Sequence, residues 1–176
     1  MSGHNKWSQI KHRKGAADKA KSTLWSKFAK RITVESRLAK GDVTSPALRT
    51  WIEKAKKENM PKDNIERAVA KGTAADASSL ESILYESYGP GGAAILIQAV
   101  TDSRNRTAQE IKHLLSKNGL ELAAQGSATW AFEKTAEGYG PKTTVPLSET
   151  DSEQLMKILE EIDAHDDVEE VFTNAA

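Results

Sequence analysis

The sequence predicts an α+β fold: an N-terminal three-helix bundle with a basic arm, followed by an α+β sandwich whose mixed or antiparallel sheet carries two helices. Three observations predict it. Residues 22–73 hold three stretches of helical periodicity punctuated by Gly and Pro. Beyond residue 80 the apolar residues fall into short runs alternating with two further helical stretches. Between them, Ala74 to Ser79 (AADASS) is a small, polar linker. The expected division is therefore 1–21 as the arm, 22–73 as the bundle and 80–176 as the α+β domain.

Taken in order, residues 1 to about 20 have weak periodicity, many Lys and an Ala/Gly spacer (Gly15 to Ala17), and read as an arm that is helical only when bound. Leu24, Phe28, Ile32 and Leu38 then share one arc of a helical wheel, with Lys27, Lys30 and Arg37 on the far side around Val34. Ser22 or Thr23 is the expected cap and Gly41 the left-handed stop. A second helix has Ser45 as cap, Pro46 at its first position, an apolar stripe of Leu48, Trp51, Ile52 and Ala55, and Asn59 as terminator. A third runs from about Lys62 to Lys71 and ends at Gly72.

In the second half, Ile83 to Tyr88 and Ala93 to Thr101 are strands joined by Gly89-Pro90-Gly91-Gly92 into a hairpin. Arg106 to Asn118 is a helix stopping at Gly119, Ala128 to Glu133 a strand, and Gly138 to Lys142 a turn. Thr143 to Leu147 is expected as a short strand, Asp151 to Ala164 as a helix capped by Thr150 or Ser152, and Val168 to Thr173 as the last strand. The order implies helices on one face of the sheet.

Composition excludes several classes. There is no cysteine, so disulfides, thiolate catalysis and Cys-based zinc sites are excluded together. No window is apolar enough for a membrane span, and the N-terminus lacks the apolar stretch of a secretory signal. A cytoplasmic protein is expected. His4, His12, His113 and His165 lack metal-ligand spacing, so no metal or cofactor is expected. The Gly89 to Gly92 loop lacks the Lys-Ser/Thr of a phosphate-binding loop and reads as a turn. Asp163, Asp166 and Asp167 read as a solvated loop entering a strand.

The net charge of zero hides a strong segregation. Residues 1–72 carry +11 and residues 73–176 carry −11, and the first forty residues alone hold eleven Lys or Arg against Asp18 and Glu35. Like charges so clustered repel one another unless a polyanion neutralises them, and phosphates do so with release of counterions. Lys6, Lys11, His12, Arg13 and Lys14 surround Trp7, whose ring adds stacking to charge. Lys27, Lys30 and Arg37 extend that surface. Arg104 and Arg106 enter a helix, where backbone N–H groups also favour anions. They read equally as a second phosphate contact or as a structural turn capped by Asn105 or Asp102. The same charge dipole also admits an intramolecular or protein-docking role.

Several segments carry a family resemblance. Gly3-His4-Asn5-Lys6-Trp7 with Ile10 to Lys14, Asn59 to Ala68 (NMPKDNIERA) and Tyr85 to Gly92 (YESYGPGG) resemble the signatures of the YebC/PmpR family. So do Thr101 to Thr107 (TDSRNRT), Gly126-Ser127 with Phe132 to Lys134, and the closing Asp166 to Val168 with Val171 to Asn174. The resemblance implies a basic helical N-terminal domain followed by α+β domains. It also implies a transcriptional regulator that binds DNA, with mitochondrial relatives that activate translation and bacterial ones linked to the ribosome. Longer members insert a further domain where this chain has only Thr135 to Thr144, so the resemblance is to a short form.

The expected function is thus a non-enzymatic, nucleic-acid-binding regulator, most concretely a DNA-binding transcriptional regulator. The alternative is a ribosome-associated or rRNA-binding translation factor using the same cations. The residues themselves lean toward RNA, because no helix-turn-helix signature or dimer element explains groove readout. The expected partner is nucleic acid, with the ribosome as a further one. No small-molecule substrate and no membrane are expected, and a monomer is the expected state.

Overall fold

The computed structural model describes residues 18–75, 80–136 and 138–176, with side chains from Lys21 onward. Of the expected basic arm, residues 1–17, and with them Lys6, Trp7, Lys11, His12, Arg13 and Lys14, lie outside the described residues, while residues 18–21 already belong to the first helix. Two compact units are present: residues 16–83 with 100–104, and residues 84–99 with 105–176.

The first unit is built on α1 (Asp18–Leu38), α2 (Pro46–Lys57) and α3 (Lys62–Thr73). Its core is Ile32, Leu48, Ala55, Met60, Ile65 and Ala68, with Trp25, Phe28, Trp51, Ile52 and Val69 partly buried against it. α1 passes through Ser22 and Thr23, so neither caps it. Nor is it a simple amphipathic helix with a cationic back. Residues 32–36 are buried all round, because Val34 packs with Leu80 and Val100 on the side opposite the bundle core. Leu38, expected inward, is 70% exposed.

Helix ends follow from left-handed residues, as expected, with one difference. Asn59 (φ 59°) closes α2, its N–H bonding the Lys56 carbonyl while the Met60 N–H reaches Ala55. In α1 that position belongs to Lys40 (φ 52°), and Gly41 (φ 81°) is the residue after it, its N–H bonding the Ser36 carbonyl. Gly72 plays a different part from the one its position suggested. α3 continues to Thr73, and a Cβ on Gly72 would lie 2.5 Å from the Thr33 carbonyl oxygen and 2.7 Å from Ser36 Cβ. Here glycine is needed for the close approach of two helices rather than for a turn. Around that contact Ser36 donates to the Val69 carbonyl (2.7 Å), and Thr33 Oγ1 lies 3.1 Å from the Ala68 carbonyl.

The remaining elements are β1 (Glu81–Tyr88), β2 (Ala94–Thr101), α4 (Arg104–Lys117), β3 (Leu122–Ala123), β4 (Phe132–Thr135), β5 (Gly138–Pro141), α5 (Glu149–Asp163) and β6 (Val168–Thr173). A four-stranded sheet has the order β3-β1-β2-β6, and β4 and β5 form a separate antiparallel ribbon. β2 pairs antiparallel with β6 from Ile95–Thr173 to Ala99–Val168, with an irregularity at Gln98/Ala99. The expected hairpin of β1 and β2 is present, and Gly91 (φ 66°) and Gly92 (φ 78°) turn its loop.

β2 is buried along nearly its whole length because both of its faces are covered. Ala94 and Leu96 meet Ala128, Ala131, Phe132 and Phe172, while Ile95 and Leu155 come together at Gly89 on the other face. Four local expectations are corrected. Residues 138–142 are largely the strand β5 and not merely a turn, because the ribbon stacks Tyr139 edge-on against Phe172 at 5.5 Å. Residues 129–131 are a short 3-10 turn ahead of β4. In place of a strand over 143–147 there is a single parallel bridge, Val145 to Ala175. Ser148, not Thr150 or Ser152, caps α5, accepting from the Asp151 N–H at 3.1 Å. β3 was not foreseen at all; two residues carry no legible period.

Candidate nucleic-acid interface

In the helical unit the cations sit on scaffolds of differing rigidity. Arg31 is held by Glu35 (2.7 Å) and lies 5.2 Å from the Trp51 ring centroid; Lys54 lies over the same ring at 4.3 Å. This Trp51 cluster escaped the sequence reading, although Lys54 follows Trp51 by one helical turn and Lys56 and Lys57 continue the run. Lys56 and Lys57 are exposed at the end of α2, Lys56 beside Glu53 at 3.0 Å. Lys27 and Lys30 are partly buried on α1. Arg37 is exposed overall, yet its guanidinium donates to the Leu80 carbonyl, so it is tied to the segment that covers Val34. The three do not form one open stripe around Val34, because that side of α1 is occupied.

Arg104 and Arg106, two residues apart, face different carboxylates. Arg104 donates to Glu81 at 2.7 and 3.3 Å, and these bonds hold the Glu81 carboxyl below the usual range. In the turn before them, Thr101 Oγ1 accepts from the Ser103 N–H at 2.9 Å.

Arg106 donates to Asp167 Oδ2 at 2.8 Å and lies 3.9 Å from Glu110. Thr107 Oγ1 donates to the same Asp167 oxygen at 2.8 Å. Asp167 is only 5% exposed, which overturns its reading as part of a solvated loop. A buried carboxylate must be met by donors, and the TDSRNRT segment supplies two of them. Each arginine thus already meets a carboxylate, although both stay exposed.

Glu110, His165 and Asp167 offer ligand atoms within 4.8 Å of one another. Each atom already has a partner. His165 Nδ1 accepts from the Asp167 N–H (3.1 Å), Nε2 faces Glu110 (2.9 Å), and the Arg106 cation bonds Asp167. A metal ion would have to displace this guanidinium and break these bonds.

Glu86, within the YESYGPGG segment, is 2% exposed. It accepts from the backbone N–H groups of Gly126 (2.6 Å), Ala128 (2.7 Å) and Thr129 (2.9 Å). Burial alone would raise its carboxyl, but the bonds from Gly126, Ala128 and Thr129 outweigh that and hold it below the usual glutamate range. Asn174, in the closing segment, is equally structural. Its Oδ1 accepts from the Ala94 N–H (2.7 Å) and its Nδ2 donates to the Thr143 carbonyl (3.0 Å). Among the described residues no helix is long and apolar enough to cross a membrane.

Comparison with known proteins agrees with this architecture. Residues 5–75 match the model of the TACO1/YebC protein N-terminal domain, and residues 80–137 that of the TACO1/YebC second and third domain. Similar relatives come from Desulfatibacillum aliphaticivorans (48% identity over 98% of this chain and 71% of the relative), Petrotoga mobilis (48%, 94% and 65%) and Fervidobacterium nodosum (37%, 99% and 93%). Each of these is named "Probable transcriptional regulatory protein". The last alignment runs over 235 residues against the 176 of this chain, so that relative carries residues without a counterpart here. The crystal structure of a conserved hypothetical protein from Aquifex aeolicus is similar with a TM-score of 0.86 and 29% identity, covering 97% of this chain and 96% of that one. With family models matching residues 5–75 and 80–137, and relatives of up to 48% identity aligned over nearly the whole chain, the chain belongs to the TACO1/YebC family.

Proposed function

We propose that this chain is a nucleic-acid-binding regulatory protein, acting by binding and not by catalysis, in the cytoplasm and as a monomer. The observation that carries the reading is the segregation of charge. The first forty residues hold eleven cations, with Trp7 among them, and the exposed cations of α2 add to them. Lys6, Lys11, His12, Arg13 and Lys14 hold phosphates, with Lys27, Lys30 and Arg37 in support. Arg104 and Arg106 are the weaker candidates, since each already meets a carboxylate. DNA is the proposed target, following the names of the relatives, and the regulated step is then transcription.

Binding measured against salt tests this. A labelled 20-base-pair DNA should bind with log affinity falling steeply as log salt rises, and reversing Lys11, Arg13 and Lys14 together to Glu should lower that slope by about 3. A flat salt dependence, or unchanged binding by the reversed variant, would overturn the proposal. Crosslinking in cells with sequencing of the bound nucleic acid then distinguishes DNA from ribosomal RNA.

A further inference from the structure

Trp130 is 59% exposed, and Tyr88, at 38%, is beside it. An indole so exposed normally turns to bury itself; here three sets of bonds prevent it. The buried Glu86 carboxylate holds the N–H groups of Gly126, Ala128 and Thr129 immediately before the ring. Immediately after it, Ala131 is fully buried, and its carbonyl accepts from Lys142 (2.8 Å) and Thr143 (3.3 Å). The indole N–H itself donates to the Tyr88 hydroxyl (3.0 Å), which in turn donates to the Ser127 carbonyl. With its one polar group satisfied inside the protein, the ring offers only its π face to a ligand.

A buried carboxylate is a costly way to fix a loop, and what this loop presents is one flat, preorganised aromatic surface. Its surroundings suit a phosphate chain. The backbone bonds from Lys142 and Thr143 to Ala131 hold an exposed Lys-Thr-Thr run beside it, just past β5, and Lys134 is exposed on the strand that leaves Ala131. The acids of this half lie mainly elsewhere in sequence, with ten of them between Glu149 and Glu170. The 127–148 segment carries Glu133 and Glu137 against Lys134 and Lys142 and is neutral.

We infer that Trp130, steadied by Tyr88, is a stacking platform for an unpaired nucleobase, with Lys142 and Lys134 meeting the flanking phosphates. The ligand is then a single strand or an unpaired loop, since a base inside a duplex does not expose its face to a ring. This rests on the nucleic-acid reading above but uses a different part of the chain, so the two can fail separately.

The experiment uses the full chain with three labelled probes: a twelve-nucleotide oligouridine, an oligothymidine of the same length and a DNA duplex. Trp130→Ala should weaken binding of one or both single strands about fivefold or more and leave the duplex unchanged. Trp130→Phe should keep most of the affinity. Tyr88→Phe, which keeps its ring but frees the indole, should fall between. Comparing the two single strands separates RNA from DNA as the source of the base.

Wild-type single-strand affinity in Trp130→Ala, alongside loss of binding when the arm is charge-reversed, would overturn the platform and leave the wider reading standing. Equal weakening on single strand and duplex would overturn it as well, by making the ring structural. Loss of self-association in sedimentation with nucleic-acid binding intact would reassign the ring to an interface between copies. Absence of binding to all three probes by the wild type would overturn both readings.

Discussion

In the helical unit the buried polar groups are mostly hydroxyls, Thr33 and Ser36, bonded to helix carbonyls, with one ion pair, Arg31 to Glu35, along a single helix. In the sheet unit buried hydroxyls are joined by carboxylates and an amide, and Glu86, Asp167 and Asn174 each fasten segments distant in sequence. The first arrangement leaves lysines of α2 and α3 at the surface. In the second, Arg106, itself exposed, bonds a buried acid and balances its charge. A basic residue therefore means different things in different places: lysines of α2 and α3 lie open to solvent, whereas Arg106 completes the bonding of a buried carboxylate.

Breaking the sheet unit's interior should have the largest effect. Glu86→Ala leaves three backbone N–H groups buried without their acceptor and should lower stability by about 3 kcal/mol or more, read by chemical denaturation. The effect depends on pH in a defined direction. Because the folded carboxyl titrates below the usual glutamate range, its stabilisation is complete above that range and is lost as pH falls through the lower folded value. The gap between wild type and Glu86→Gln should accordingly narrow below about pH 4.

The helical unit is best broken at a place with no charge. Gly72→Ala should destabilise by about 2 kcal/mol, because the new methyl meets backbone at the α1–α3 contact and nothing there can yield cheaply. If nothing packed against that helical position, alanine would instead be neutral or stabilising. The arginine pair sharpens the comparison at its weakest end. Arg106→Ala removes one of the donors to a buried Asp167 and should cost about 1 kcal/mol. Arg104→Ala breaks an exposed pair with Glu81 and should leave the thermal midpoint unchanged within error. A reversal of that order would mean that burial does not decide what these bridges are worth.

Much of the backbone was legible because punctuation is local. Pro46 at a helix start, Asn59 and Gly119 at helix ends and the Gly-rich hairpin loop act through the φ and ψ of single residues, which a sequence displays directly. The charge segregation was equally plain, since it needs no fold to be counted. Arg104 and Arg106 were left open between two readings because an arginine's partner is a three-dimensional fact.

What the amino-acid order determined by itself was the α+β class, the start of α2 at Pro46 and its end at Asn59, and the concentration of positive charge in the first forty residues. These depend on backbone preference, period and composition. Only the tertiary structure decided that Val34 and Asp167 are buried, that Gly72 is a contact, that Glu86 holds a loop and that Trp130 stands in solvent. Each of those depends on which distant segment arrives within a few ångströms, and burial changes the cost of a polar group by more than any local preference does.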